Sequence, residues 1–323
     1  MTALFWCAAG LLLLVLGAEF VVRGGTQLAA RLGVPPLVIG LTVVAIGTST
    51  PELAVGVSSA LRGEGELSVG NIVGASMINI LFVLGLSAVI RPLDIRMQTI
   101  RLNLPMIVVA SLMLWGMAWD SVLTRREGAM LIVAALAYTA VILCTARRES
   151  MAVRMVFAEE FQAEPDPTPM PDMLFSLALL VLGIVASVIG ADWLVDGAVA
   201  LARQWGVSDA FIGLTIVAIG TTSPELVTTI VSTIRNARDI AIGNLLGSSA
   251  YNILFILGIT CIVPEQGIAI GPWLSRVDMP LLVVLALLCI PVFLSGRRVS
   301  RAEGGGFVLA YLVYLVFLVT MRT

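Results

Sequence analysis

The feature of this sequence that most constrains its fold is a 47-residue repeat at a constant offset of 173 positions. Residues 40–86 and 213–259 align without a gap, and 23 of the 47 aligned pairs are identical. The identical pairs include glycine, proline, glutamate, asparagine and serine, so a shared preference for leucine and valine does not explain them. The sequence therefore predicts two related halves.

Both copies of the repeat lie in strongly apolar sequence. Hydrophobic residues make up 59% of the 323 residues, charged residues 12%, and the mean hydropathy is +1.03. Soluble domains are about half apolar and about a quarter charged, and a membrane-spanning helix needs about 20 residues. We predict an all-α polytopic membrane protein with ten transmembrane helices. The approximate spans are 3–22, 35–61, 68–90, 103–119, 128–145, 173–195, 208–234, 240–263, 278–295 and 305–321.

The two halves are predicted to cross the membrane in opposite directions. Five spans separate equivalent points of the repeat. Because five is an odd number, the second half enters the membrane from the opposite side to the first half. We expect a first five-helix repeat at 1–145, a linker at 146–172 whose end holds four prolines and is extended, and a second, inverted five-helix repeat at 173–323. Inverted repeats are typical of secondary transporters, which bind their substrate where the repeats meet near the bilayer midplane.

Arginine placement predicts the orientation. With the N-terminus outside, the cytoplasmic segments hold 13 of the 19 arginines and the outer segments hold 6. Cytoplasmic loops of membrane proteins are enriched in basic residues. We therefore predict a multi-pass protein of the cell (plasma or inner) membrane, with both termini outside and the central linker cytoplasmic.

Two symmetric polar motifs interrupt apolar spans, GTSTPEL at 47–53 and GTTSPEL at 220–226. Pro51 and Pro224 each remove a backbone donor, and Pro51 frees the carbonyl of Gly47, so local unwinding is expected. Glu52 and Glu225 place carboxylates at membrane depth, where an ionised side chain costs about 3 kcal/mol or more. Freed carbonyls and charges at this depth are typical of groups that line a cavity or a transport site.

Oxygen ligands surround each of these carboxylates at helical spacing. Hydroxyl residues lie three or four positions before each glutamate: Thr48 and Ser49 before Glu52, and Thr221 and Thr222 before Glu225. A second motif pair, at 70–85 and 243–258, contributes the amides of Asn79 and Asn252. An all-oxygen environment suits hard cations such as Ca²⁺ and Na⁺.

Several residue types are missing, and their absence excludes other chemistry. The chain has no His and no Lys, and its four cysteines are scattered in apolar segments. This excludes His or thiolate metal sites, Schiff-base chemistry and a phosphate-binding loop, so no cofactor is expected. The net charge of −2, without long charged runs, argues against nucleic-acid partners. The expected partners are Ca²⁺, Na⁺ and the lipid bilayer.

The GTS-x-PE and GN-x-x-GS-x-x-x-N patterns resemble the two alpha repeats of the calcium/cation antiporter superfamily, specifically its sodium/calcium exchanger branch of prokaryotic type. The resemblance implies ten helices around a central cation site, with alternating access through sliding of the first helix of each half. It implies that Ca²⁺ is held by the two glutamates and the backbone carbonyls of Thr48 and Thr221. For Na⁺ it adds the Ser49 and Thr222 hydroxyls, the carbonyls of Ala45 and Ala218, and Ser248. We expect this protein to act as a monomer.

The function expected from this sequence is secondary antiport of Ca²⁺ against Na⁺, with Ca²⁺/H⁺ antiport as the alternative on the same fold. The duplicated hydroxyls and carbonyls favour Na⁺, because a proton exchanger needs only the carboxylates. A passive channel lined by glutamates is disfavoured by the two-fold repeat, since channels usually build rings. An intramembrane enzyme is disfavoured because the chain lacks a catalytic Asp pair, a Ser–His pair and an HExxH motif.

Overall fold

The structure is a computed structural model that describes residues 2–95, 97, 99–161, 170–205 and 218–322. Helices dominate it, and we number them in chain order. They are α1 Thr2–Leu32, α2 Pro36–Thr48, α3 Thr50–Leu61, α4 Gly65–Ile90, α5 Thr99–Asp120, α6 Arg125–Phe161, α7 Met170–Gln204, α8 Ala218–Thr221, α9 Ser223–Ile234, α10 Arg238–Ile262, α11 Leu274–Leu294 and α12 Arg301–Arg322.

Eight of these helices are long and apolar enough to cross a membrane, and the bent pair of α2 and α3 adds a ninth span. The predicted span 208–234 includes residues 208–217, which lie outside the described residues. Large apolar side chains such as Leu12, Val133, Leu182 and Leu309 are exposed on the outer helices. An exposed apolar surface of this kind is what contact with lipid requires. The chain is therefore a helical, multi-pass membrane protein.

Each half contains a broken helix at its proline motif. Ser49 separates α2 from α3, and the angle between the axes of these two helices is 42°. Thr222 separates α8 from α9. Pro51 and Pro224 lie in the first turn of the downstream helix, where the missing N–H is tolerated. The Gly47 carbonyl, which Pro51 deprives of its helical donor, accepts a 2.7 Å hydrogen bond from the Thr50 hydroxyl.

Within the described ranges, five short π-helical segments interrupt the spans, at Gly40–Val44, Ile78–Val83, Thr99–Asn103, Asn252–Ile256 and Leu274–Asp278. The segments in α4 and α10 occupy equivalent positions of the repeat. π-Helical turns concentrate at functional sites because they re-aim side chains. Here they contain Asn79 and Asn252, so the local backbone distortion coincides with two predicted site residues.

Helices α4 and α10 form the buried centre of the bundle. The half-helices α2, α3 and α9 pack against them, while the long helices α1 and α7 pack antiparallel to each other at one side. A Cβ added to Gly17 would lie 2.8 Å from the carbonyl oxygen of Gly183, and one on Gly190 would lie 2.8 Å from that of Gly10. Glycine is therefore required for this close helix approach.

Two small antiparallel strand pairs, not predicted from the sequence, close opposite ends of the bundle. Strand β1 (Leu93–Asp94) pairs with β4 (Arg298–Val299), and β2 (Val122–Leu123) pairs with β3 (Ile268–Ala269). We name the two ends after the arginines that follow the half-helices. The Arg235 face contains β1, whose Asp94 forms an ion pair with Arg238, and the Arg62 face contains β3, against which Gly65 packs.

The expectation of an extended linker over 146–172 is corrected for its first part. Helix α6 continues to Phe161, because residues 146–161 hold mainly Ala, Arg, Glu and Met and no proline. Helix α7 begins again at Met170. Residues 162–169, with most of the prolines, lie outside the described residues.

Candidate cation-binding site

The centre of the bundle contains two carboxylates, one from each half. Glu52 lies in the first turn of α3 and Glu225 in the first turn of α9, and both are fully buried. They are close enough for their charges to repel each other. No arginine pairs with either glutamate in the described part of the chain. The N-termini of two half-helices supply partial positive charge, but two buried carboxylates still require a cation or protons.

The hydroxyls at the helix breaks contact the carboxylate of the opposite half. The Ser49 hydroxyl donates a 2.8 Å hydrogen bond to Oε1 of Glu225, and Thr222 lies beside Glu52. The helical spacing predicted Ser49 beside Glu52 instead. The prediction differs because the helix is broken at Ser49 (φ −81°, ψ 12°), so the spacing does not hold across the break. The site therefore links the two halves directly.

Three of the four carboxylate oxygens remain open to a ligand. Both oxygens of Glu52 and Oε2 of Glu225 are buried without a hydrogen bond of normal geometry to any described residue. The described residues contain no cluster of three or more acidic or Cys side chains, so a cation at this position must complete its coordination with neutral oxygens.

Neutral oxygens from both halves surround Glu225. The Thr48 hydroxyl is 3.1 Å from the Val44 carbonyl and 3.3 Å from the Ala45 carbonyl, and the Ser248 hydroxyl donates to the same Ala45 carbonyl at 3.4 Å. Both hydroxyls also lie near the Glu225 carboxylate. Of the residues predicted from the sequence, the structure thus brings Thr48 and Ser248 to this carboxylate, and the Ala45 carbonyl contacts both of their hydroxyls.

Two further asparagines, at equivalent positions of the repeat, were missed. Asn244 contacts the Thr48 hydroxyl through Oδ1 at 3.1 Å and donates through Nδ2 to the Thr229 hydroxyl at 3.0 Å and the Glu225 carbonyl at 3.4 Å. Asn71 accepts from the Thr221 hydroxyl at 3.3 Å. Each asparagine therefore connects the helix of one half to the broken helix of the other. Their identity in both copies of the GN motif was the signal that could have identified them.

The remaining predicted residues have less defined surroundings. Asn79 and Asn252 are fully buried, and neither polar atom of either amide has a hydrogen-bond partner among the described residues. Helix α9 packs against the π-helical segment of Asn79, and α3 packs against that of Asn252. Ala218 begins α8, next to residues outside the described ranges. The two amides lie on helices that border the carboxylates and are not committed elsewhere in the described structure.

The sequence matches the family model described as "Sodium/calcium exchanger protein" over residues 2–144 and 175–320. A curated relative, the "Putative antiporter CaxA" of Alkalimonas amylolytica, is 33% identical over 316 residues, covering 97% of this chain and 98% of the relative. The "Inner membrane protein YrbG" of Escherichia coli (strain K12) is 34% identical, covering 95% of each chain.

The fold is also similar to a solved structure. The sodium-calcium exchanger NCX_Mj, soaked with 10 mM Na⁺ and 10 mM Sr²⁺, superposes with a TM-score of 0.82 at 27% sequence identity, covering 98% of each chain. The family match extends over both halves and leaves out residues 145–174, which include the linker. The chain therefore belongs to the sodium/calcium exchanger protein family, as a multi-pass membrane antiporter of its prokaryotic branch.

Proposed function

We propose that this protein exchanges Ca²⁺ for Na⁺ across the cell membrane by alternating access. The observation that carries this proposal is the hydrogen bond from Ser49 to Glu225, which joins the two halves beside two buried carboxylates without an arginine partner. One Ca²⁺ neutralises both carboxylates, and so do two Na⁺ or two protons. Because the same charges must be neutralised in turn, the ions compete for one site, and this competition is the physical basis of exchange.

The surrounding neutral oxygens favour Na⁺ over H⁺ as the counter-ion. A proton needs only the carboxylate oxygens, whereas Na⁺ needs a shell of hydroxyl and carbonyl oxygens such as that around Glu225. The proposed ligands contribute carboxylate, hydroxyl, amide or carbonyl oxygens from both halves. They are Glu52, Glu225, Thr48, Thr221, Ser49, Thr222, Asn79, Asn252, Ala45, Ala218 and Ser248.

The proposed architecture is ten helices in two inverted five-helix repeats, 1–145 and 173–323, joined by the linker 146–172. The symmetric helix breaks at Ser49 and Thr222 and the paired π-helical segments of α4 and α10 support it. We place both termini outside and the linker in the cytoplasm, because this orientation puts 13 of 19 arginines inside. One chain supplies both halves of the site, so the protein acts as a monomer.

The test is ⁴⁵Ca²⁺ uptake into proteoliposomes that are loaded with Na⁺ and then diluted into Na⁺-free buffer. The pH is equal on both sides of the membrane. A parallel set carries a pH gradient without Na⁺. Uptake driven by the Na⁺ gradient is expected. Uptake driven by the pH gradient alone would assign Ca²⁺/H⁺ antiport to the same site, and a Ca²⁺ flux that neither gradient drives would contradict antiport.

A further inference from the structure

Helix α9 has two buried hydroxyls that the proposed ion site does not use. Thr228 and Ser232 are three and seven residues beyond Glu225, and both are fully buried. They lie on the helix face of Glu225, about 4.5 and 10.5 Å further along the helix axis. Their hydroxyl oxygens have no hydrogen-bond partner in the part of the chain that the structure describes.

Many other buried helical hydroxyls in the described part of the chain bond to the carbonyl four residues earlier, although those of Thr99 and Ser187 are also unpartnered. Those that do so include Thr42, Ser76, Ser111, Thr233, Ser249 and Thr260. Leaving a buried hydroxyl unpaired costs about 1–3 kcal/mol. The free state of Thr228 and Ser232 is therefore a property of their position, since the same residue types are satisfied elsewhere, including on α9 itself.

A third free hydroxyl, that of Ser87, borders the same row. Helix α4 packs against α9, and the Ser87 oxygen is buried and unpartnered among the described residues. In the other half, a Cβ on Gly56 would lie 3.0 Å from the Thr260 hydroxyl. Gly56 and Thr260 correspond in the repeat to Thr229 and Ser87. By analogy with the contact of Gly56 and Thr260, Ser87 lies beside α9 near Thr229, which is between Thr228 and Ser232.

The hydroxyl row is only partly repeated in the first half, where Ser59, the equivalent of Ser232, is also a buried serine. Val55 is the equivalent of Thr228, and the hydroxyl equivalent to Ser87, on Thr260, is satisfied by the Ile256 carbonyl. The row leads from Glu225 toward Arg235, where α1 packs along α9 and Glu19 bonds Arg235 at 2.8 Å. Since α1 covers this end of α9, the Arg235 face is closed in this structure, and the row ends beneath it.

We propose that Thr228, Ser232 and Ser87 line the passage through which cations travel between Glu225 and the Arg235 face when that face opens. This inference rests on the proposed antiport. Uncharged hydroxyl oxygens replace part of the water shell of a cation without holding it as a carboxylate would. The row therefore affects how fast ions cross this face and leaves the affinity of the central site unchanged.

The test uses Thr228→Val, which installs the residue of the other half, and Ser232→Ala. The matched control is Thr233→Val, because Thr233 is equally buried on α9 and its hydroxyl is satisfied by the Thr229 carbonyl. Exchange of ⁴⁵Ca²⁺ for unlabelled Ca²⁺ across proteoliposomes measures the rate, and calorimetry of the purified protein measures the Ca²⁺ Kd. We expect an exchange rate about 10-fold lower in the two variants, the effect of one lost polar contact, with the wild-type Kd.

The results separate this inference from the proposed function. A normal exchange rate in both variants, or a Kd weakened in proportion to the rate, would overturn the passage while leaving the antiport intact. Wild-type protein that exchanges no Ca²⁺ would overturn the proposed function and the passage with it. Equal slowing by Thr233→Val would also overturn the passage, because a satisfied hydroxyl would then matter as much as a free one.

A second measurement is independent of how well these variants transport. In a chain with Cys7, Cys144, Cys261 and Cys289 replaced by alanine, Ser232→Cys is exposed to a cationic, membrane-impermeant methanethiosulfonate reagent during Ca²⁺ exchange. We expect Ser232→Cys to react at least about 10-fold faster than Thr233→Cys, because water and the reagent reach position 232 when the passage opens. Similar reaction rates at the two positions, or no reaction at Ser232→Cys, would overturn the passage.

Discussion

At the scale of single residues, the two central carboxylates have unequal surroundings although their sequence motifs are equivalent. Glu225 accepts from Ser49, lies near Thr48 and Ser248, and has its backbone carbonyl bonded by Asn244. In the described part of the chain, Glu52 lies beside Thr222, and neither of its carboxylate oxygens has a hydrogen bond of normal geometry. The polar framework is therefore concentrated on the second carboxylate, and residues that support it should contribute more than their repeat equivalents.

This inequality predicts that Asn244→Ala has a larger effect than Asn71→Ala. Asn244 is fully buried and contacts three groups, whereas Asn71 is half-buried and, among the residues that the structure describes, accepts from Thr221 alone. Each unsatisfied buried partner costs about 1–3 kcal/mol. We expect Asn244→Ala to lower the melting temperature and weaken Ca²⁺ binding by at least about 10-fold, with a clearly smaller effect of Asn71→Ala. Equal effects in thermal unfolding and calorimetry would contradict this ranking.

The residues of the site were predictable where the residue type alone indicates a site. The hydrogen-bond partners of these residues were less predictable. Buried glutamates in apolar spans indicate a site from the sequence alone, because their cost is high wherever they lie in the bilayer. The pairing of Ser49 with Glu225 was not predictable, since the break at Ser49 cancels the helical spacing. The contact of Asn244 with Thr48 was not predictable, because the two residues are 196 positions apart and only the fold shows that they meet.

At the scale of helices, the antiparallel contact of α1 and α7 depends on glycine. Replacement of Gly17 by Ala puts a methyl group 2.8 Å from the Gly183 carbonyl and 2.5 Å from the Ser187 hydroxyl. Forcing the helices apart costs about 1–3 kcal/mol, the usual range for overpacking. We expect Gly17→Ala to lower the melting temperature in detergent and to slow transport.

Gly116 is the matched control for this substitution. A Cβ at Gly116 on α5 meets no atom within 4 Å, so Gly116→Ala is expected to be neutral or to stabilise its helix by up to about 1 kcal/mol. If Gly17→Ala were tolerated as well as Gly116→Ala, the close contact of α1 and α7 would not be required for stability.

Helix positions were largely predictable from hydropathy, whereas local backbone geometry was not. Proline and glycine beside Glu52 and Glu225 indicated the breaks in advance. The π-helical segments in α4 and α10 left no recognisable pattern, because one extra residue in a turn is decided by packing. The continuation of α6 to Phe161 was missed because the polar composition of 146–161 indicated a loop, although most of its residues favour helix.

At the scale of the whole molecule, the two halves are related in sequence but differ in packing. Helix α1 packs along α9, whereas the equivalent helices α7 and α3 make almost no contact. Glu19 bonds both Arg23, at 2.7 Å, and Arg235, at 2.8 Å. Their repeat equivalents are Asp192, Asp196 and Arg62, and no ion pair joins them within the described residues. Among the described residues, α1 thus covers α9 at the Arg235 face, and the ion pair of Glu19 and Arg235 joins the two helices there.

We therefore predict that Glu19→Gln favours opening of the Arg235 face. An exposed ion pair contributes about 0.2–1 kcal/mol, so the population of the open state should rise by up to about fivefold. Spin labels at the exposed positions Leu16 and Ile234, read by double electron–electron resonance, report the separation of α1 and α9. Asp192→Asn is the control, and the same change in both variants would show that the pair of Glu19 and Arg235 does not hold this face closed.

Duplication was the most predictable property of the whole molecule, because it is written in identical residues at a fixed offset. The difference in packing between the halves was not predictable from the sequence. Both arrangements must be accessible to an alternating-access transporter, and their free energies depend on small sums of contacts and ion pairs. Only a structure shows which arrangement is adopted.

The central claim is that Glu52 and Glu225, one from each half, form a single cation site. Calorimetric titration of purified protein with Ca²⁺ in Na⁺-free buffer tests it most directly, using Glu52→Gln, Glu225→Gln and the exposed control Glu64→Gln. Removing one member of a buried, mutually dependent charged site costs about 3–5 kcal/mol. We expect either central substitution to weaken Ca²⁺ binding by about 100-fold or more, with near wild-type melting temperatures, and the control to bind normally. Wild-type Ca²⁺ affinity in either central variant would contradict the claim.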